Sequence, residues 1–141
     1  MIDKRFDIEN LYHNGPKIVV FISPSEAICN HYRSRGMVPP SVEVTAMIDT
    51  GASDTVIGPS IVEKLKLKTN KTRDVDTAAG TKEVDIHTVC ITFKDFTAKF
   101  QIYPTCQPIN EKNFQVLLGR DILLSGGLIY DGENNFFRLR L

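Results

Sequence analysis

The sequence predicts a small, mostly antiparallel β domain carrying two or three short helices. Three observations carry that expectation. At 141 residues the chain has the length of one domain, and 42% apolar residues suffice to fill a core. Its hydrophobic residues recur with a period of two in short runs bounded by Gly, Pro, Asn and Asp. Only brief stretches shift to a helical period.

The elements follow in order. "MIDKRFDIENLYHNG" is charged, lacks an apolar core of the kind a secretory signal needs, and reads as an N-terminal extension over residues 1–15 ahead of a domain at 16–141. "KIVVFIS" (Lys17–Ser23) has apolar residues on both faces and reads as a buried strand. In "SPSEAICNHYRSRG" the period changes: Ser23 fits an N-cap, Pro24 the first helical position, Glu26 a capping box and Gly36 the stop. This gives a helical insertion at about 24–40, and "SVEVTAMID" (Ser41–Asp49) returns to strand.

Pro59 opens a short helix in "GPSIVEKLKL", with Ile61, Val62 and Leu65 on one face. Residues Arg73–Phe93 read as a hairpin whose tip is Thr77-Ala78-Ala79-Gly80-Thr81 and whose second arm alternates at Val89, Ile91 and Phe93. "FTAKFQIYP" alternates again, "FQVLLG" is a buried strand and "RDILLSGG" a helical turn. A last hairpin turns at Asp131-Gly132, and Phe137, Leu139 and Leu141 share a face of its final strand.

Composition narrows the function. Seventeen basic and 17 acidic residues give a formal net charge of zero, which argues against nucleic acid or an anionic membrane as the partner. No apolar run approaches a membrane span. Cys29, Cys90 and Cys106 are odd in number and lack a CxxC spacing, so they read as reduced thiols in a cytoplasmic setting. His13, His31 and His87 form no metal-ligand spacing with them and read as surface or packing residues; no metal and no cofactor is expected. "KLKLKTNKTR" (Lys64–Arg73) reads as a solvated helix end, with Lys favourable near the C-terminal dipole.

The chemistry concentrates in "TAMIDTGASDTVIG" (Thr45–Gly58). An Asp-Thr-Gly tripeptide alone is an ordinary turn. Here an apolar strand delivers Asp49, Gly51 permits a tight turn that aims backbone N–H groups at the carboxylate, and Ala52 and Ser53 are small enough to leave it reachable. "TVI" then re-enters the core.

"MIDTGASDTVIG" resembles the active-site segment of the retropepsin-like aspartic proteases, and "VLLGRDIL" (Val116–Leu123) is similar to their second signature, here Gly119, Arg120 and Asp121. The similarity runs from about Ile18 to Leu141 and looks closest to bacterial single-domain members. It implies a small closed β barrel of the retropepsin type and an aspartic endopeptidase that binds a peptide or protein substrate. Asp49 with Thr50 and Gly51 would form the catalytic turn. Ala52, Ser53 and Asp54, with a flap at Ala78, Ala79 and Gly80, would hold substrate. Hydrolysis without a metal or nucleophilic side chain needs two carboxyls sharing a proton around one water. The chain has a single Asp-Thr-Gly, so the second Asp49 must come from a twofold-related copy, a homodimer. In the family the Thr hydroxyls lock the two turns, and terminal strands, here within Asn135–Leu141, join the dimer sheet.

Retroviral members place an acid directly after the Ala, paired to the Arg of the second signature. Here Ser53 holds that position and Asp54 follows it, leaving Arg120 to pair with Asp54, with Asp121 or with neither. Two rival readings stand beside the protease: a catalytically silent domain that binds peptide or dimerises, and a protease that trims only its own first residues.

Overall fold

The structure, a computed structural model, describes residues 3–69, 71–96 and 98–141. In chain order it comprises β1 (Asp3–Asp7), α1 (Leu11–Asn14), β2 (Lys17–Pro24), α2 (Glu26–Ser34), β3 (Val42–Ile48), β4 (Val56–Ile57), α3 (Pro59–Leu65), β5 (Lys71–Thr77) and β6 (Gly80–Ile86). There follow β7 (Val89–Phe93), β8 (Lys99–Ile102), β9 (Thr105–Cys106), β10 (Val116–Leu118), α4 (Arg120–Leu123), β11 (Gly127–Asp131) and β12 (Phe136–Arg140).

Nine strands form one sheet in the order β5-β6-β9-β4-β10-β3-β2-β7-β8. No pairing joins β5 to β8 among the described residues, so the sheet is a curled half-barrel, open where the sequence reading expects closure. The opening has a local cause: β5 pairs only with β6, and the two run out together as a hairpin. Most neighbours are antiparallel, but β3–β10 and β4–β9 are parallel. Alternation sets the inner face. Ile18, Val20 and Ile22 of β2 are buried while Val19 and Phe21 are half-buried, and Ile91, Phe93, Val116 and Leu118 join them in the core.

A second sheet, β1-β12-β11, closes one end. The segment expected as an extension is therefore part of the packed structure, with Asp3 opposite Arg140 and Asp7 opposite Phe136. Phe6 stacks on Phe137 with ring centroids 4.9 Å apart, and Lys4 bridges to Asp95 at 3.3 Å. Alternation over only five residues, interrupted by charges, hides this strand from a sequence reading. It also corrects the expectation for Asn135–Leu141. β12 has a neighbour on each side, and Phe137 and Leu139 are fully buried, so this strand offers no free edge. The free edges of this sheet are those of β1 and β11.

Two boundaries also differ from expectation. Ser25, not Ser23, caps α2, its hydroxyl accepting from the Ile28 N–H at 3.3 Å. Proline holds the residue before it extended, so Ser23 and Pro24 stay in β2, paired with Cys90 and Val89. The long hairpin ends at Ile86, and the alternation at Val89, Ile91 and Phe93 belongs to β7, which leaves that hairpin to pair with β2 and β8. α3 starts at Pro59 as expected, its first turn needing no N–H there.

Candidate active site

β3 ends at Ile48, and its parallel neighbour β10 holds Ala46 opposite Val116 and Ile48 opposite Leu118. One residue further, the Asp49 N–H donates to the Leu118 carbonyl at 2.9 Å. The main chain of Asp49 is thus fixed by the second signature strand while its half-buried side chain leaves the sheet. Within the turn, the Gly51 N–H donates to Asp49 Oδ1 at 2.9 Å, and the Ala52 N–H to the Asp49 carbonyl at 3.2 Å. The carboxylate is therefore oriented by a backbone donor and remains accessible to water. Thr50 and Gly51 are exposed.

α4 clamps this turn from behind. Arg120 Nη1 donates to the Thr50 carbonyl at 2.8 Å, the Arg120 N–H to the Ala52 carbonyl at 2.9 Å, and the Asp121 N–H to the Ser53 carbonyl at 3.2 Å. Of the two acids left open for Arg120, neither is its partner: its guanidinium holds backbone. Asp54 instead forms an ion pair with Arg73 of β5, Nη2 to Oδ2 at 2.5 Å, which ties the long hairpin to the active-site turn.

Beneath the turn lies a residue that sequence reasoning passed over. Thr55 is fully buried. Its hydroxyl donates to Asp121 Oδ1 at 2.8 Å and accepts from the Gly119 N–H at 3.1 Å, while its own N–H donates to Asp121 Oδ2 at 3.0 Å. The Ile122 N–H adds a third donor to Asp121, at 2.9 Å. Gly119 is needed for this closeness: a Cβ there would stand 2.6 Å from the Asp54 carbonyl carbon and 2.9 Å from the Thr55 nitrogen. The Asp49 turn and the Gly119-Arg120-Asp121 segment are thus one hydrogen-bonded unit. The available signal for Thr55 was a hydroxyl residue between an acid and an apolar pair; for Arg73 there was none.

At the far end of the β5–β6 hairpin, Ala78 and Ala79 form a two-residue loop between the paired Thr77 and Gly80. Gly80 takes φ 109°, a region glycine alone enters freely. The Thr77 hydroxyl closes the loop, donating to the Gly80 carbonyl at 2.7 Å. Along this hairpin only Val84 is buried, so the arm beyond its foot stands in solvent. Of the histidines, His13 and His31 are exposed, whereas His87 is buried with neither ring nitrogen bonded among the described residues.

A curled half-barrel that presents a strand-borne Asp-Thr-Gly turn, braced by a Gly-Arg-Asp helical turn, is the arrangement of a retropepsin-like aspartic protease. Residues 36–122 match the sequence profile of the aspartyl protease family. The chain belongs to that family. Among solved structures it is similar to a retropepsin-like aspartic protease from Rickettsia conorii, at 17% identity over 98% of this chain and 91% of that one, with a TM-score of 0.60. It is also similar to the EIAV protease complexed with the inhibitor HBY-793, at 20% identity over 78% of this chain and 86% of that one, TM-score 0.50. At these identities the likeness is one of fold. No curated protein sequence matches significantly. Among the described residues no helix is long and apolar enough to cross a membrane.

Proposed function

We propose that the protein is an aspartic endopeptidase acting as a homodimer, with Asp49 of each subunit flanking one water. The observation that carries this reading is the Asp49 carboxylate, aimed by the Gly51 N–H at the end of an anchored strand and open to solvent. Aspartic proteases are themselves the standing example of the titration that follows when two such groups meet: both cannot ionise comfortably, and the pair shares one proton. The ionised carboxyl takes a proton from the water, which attacks the peptide carbonyl. The protonated one hydrogen-bonds the carbonyl oxygen, and protons then pass to the departing nitrogen.

In this reading the β5–β6 hairpin is the flap, and Ala78, Ala79 and Gly80 present backbone groups to an extended peptide. Ala52, Ser53 and Asp54 line the floor of the same cleft, with Asp54 already held by Arg73. Thr50, exposed at the turn, meets its twofold mate. Since β12 is enclosed, the dimer sheet grows from the outer edge of β11, where Ile129 and Tyr130 are about half exposed and Leu124, just before it, is 87% exposed. Three free thiols fit a reducing, cytoplasmic setting.

Incubation with a mixed peptide library tests the proposal. Asp49→Asn is expected to lower cleavage by about 10³-fold or more while leaving fold and dimer intact. Cleavage unchanged in that variant would remove Asp49 from the mechanism, and a well-formed dimer without cleavage at any pH would leave a silent binding module. Trimming of the first residues would require β1 to leave its sheet first, since Asp3–Asp7 is paired along its length.

A further inference from the structure

The lysine-rich segment after α3 does more than end a helix. It forms one wall of an open groove of about 1050 Å³, facing α2 across it, and none of residues 49–54 or 77–80 lines it. Lys64, Lys66, Lys68 and Lys71 line it, and no acid does among the described residues. None of the four is in an ion pair among the described residues. Between the lysines the lining is mixed: Leu65, Leu67, Ile86, Ile28, Tyr32 and Tyr103 give it apolar and aromatic surface beside the hydroxyls of Ser25, Thr69 and Thr88. Ile28 is 48% and Tyr103 61% exposed, so large apolar area is left in water there.

A backbone detail sharpens the pattern. Lys66 caps α3 with φ 51°, a left-handed position where glycine or asparagine fits at less cost. Lys66 ends α3 in this way, and Leu67 and Lys68 continue along the groove lining. Four lysines without an ion pair among the described residues, interleaved with apolar and aromatic side chains, are complementary to an extended acidic peptide whose alternate side chains are apolar. A nucleic acid backbone would meet the cations but leave the aliphatic floor unused, and the neutral chain offers no wider basic track.

We propose that this groove binds an acidic, apolar-containing peptide segment of a partner protein, outside the catalytic cleft. Lys71 and Ile86 are also the first and last paired positions of the β5–β6 hairpin, so the bound segment rests against the foot of that arm. The site stands whether or not the chain cleaves peptides, because it is read by binding alone.

The test uses the full chain carrying Asp49→Asn, so that a bound peptide stays whole, and a fluorescent peptide of alternating Glu and Leu. Anisotropy is expected to report binding that weakens with salt and falls about tenfold or more in Lys66→Glu/Lys68→Glu, but not in Lys112→Glu, which is not among the residues lining the groove. The same peptide with Gln for Glu should bind no better than that double variant. Backbone amide shifts on titration should cluster at residues 64–71 and 28–32. Equal binding by the double variant, shifts centred on residues 49–54, or binding of a short oligonucleotide in preference to the acidic peptide would each overturn the proposal.

Discussion

Thr55→Val removes one oxygen from the brace beneath the active-site turn and keeps nearly the same shape. The hydroxyl serves two partners at once, Asp121 Oδ1 at 2.8 Å and the Gly119 N–H at 3.1 Å. A hydrogen bond to a charged group contributes about 1.5–3 kcal/mol, and a buried N–H left unpaired costs about 1–3 kcal/mol. Asp121 keeps two other donors, from Thr55 N and Ile122 N, which holds its share toward the low end. The expected loss is about 2–4 kcal/mol. Thr55→Ser is the control: it retains the hydroxyl and gives up one methyl, about 1 kcal/mol of burial. Urea unfolding at fixed protein concentration, with an unchanged m-value, measures both. Valine should fall below serine by about 1–3 kcal/mol, or by several degrees in Tm. A valine variant as stable as the serine one would show that the hydroxyl bridges nothing of consequence, and the unity of the two signature segments would be lost with it.

Arg73→Gln breaks the link from the β5–β6 hairpin to Asp54. Its side chain is 43% exposed and that of Asp54 29%, so stability should change by no more than about 1 kcal/mol. Peptide kinetics should show KM raised severalfold with kcat nearly constant; an unchanged KM would detach this pair from substrate binding. For the N-terminal strand the control is pH. The hydrogen bond from Arg138, helped by the charges of Arg138 and Arg140, holds the Asp3 carboxyl below its ordinary range. A lowered folded-state value means a contribution that is complete above the unfolded pKa and disappears as pH falls through the folded one. Loosening of β1 is therefore expected below about pH 4. Amide exchange at Phe6 and Leu139, corrected for intrinsic rates, should rise there, and Asp3→Asn should abolish the dependence.

The Asp49-Thr50-Gly51 turn was legible because its pattern is local: an apolar strand, an acid, a hydroxyl and a glycine occur in consecutive positions. Gly119-Arg120-Asp121 was legible through its resemblance to the second signature of the retropepsin-like proteases. What each of these residues bonds to was not, because the partners are distant in sequence. Arg120 reaches back to Thr50, and Asp121 to Thr55. The pairing of β10 with β3 on one side and with β4 on the other brings them together. Strand periodicity located β7 correctly but assigned it to the wrong hairpin, since alternation identifies a strand and says nothing of its neighbour. β1 escaped notice because its alternate residues are charges that face solvent, leaving Phe6 as the one large apolar contact.

Residues 3–7 find their hydrogen-bonding partners at residues 136–140, nearly the whole sequence away. During synthesis β1 consequently emerges well before β12 and stays unpaired along that edge until β12 follows. The half-barrel strands up to β10 precede β11 and β12 in the chain, so the sheet that covers its end waits for the β11–β12 hairpin. Until then Phe6 lacks Phe137, and the nascent domain carries an uncovered apolar end that chaperones or a second nascent copy can reach.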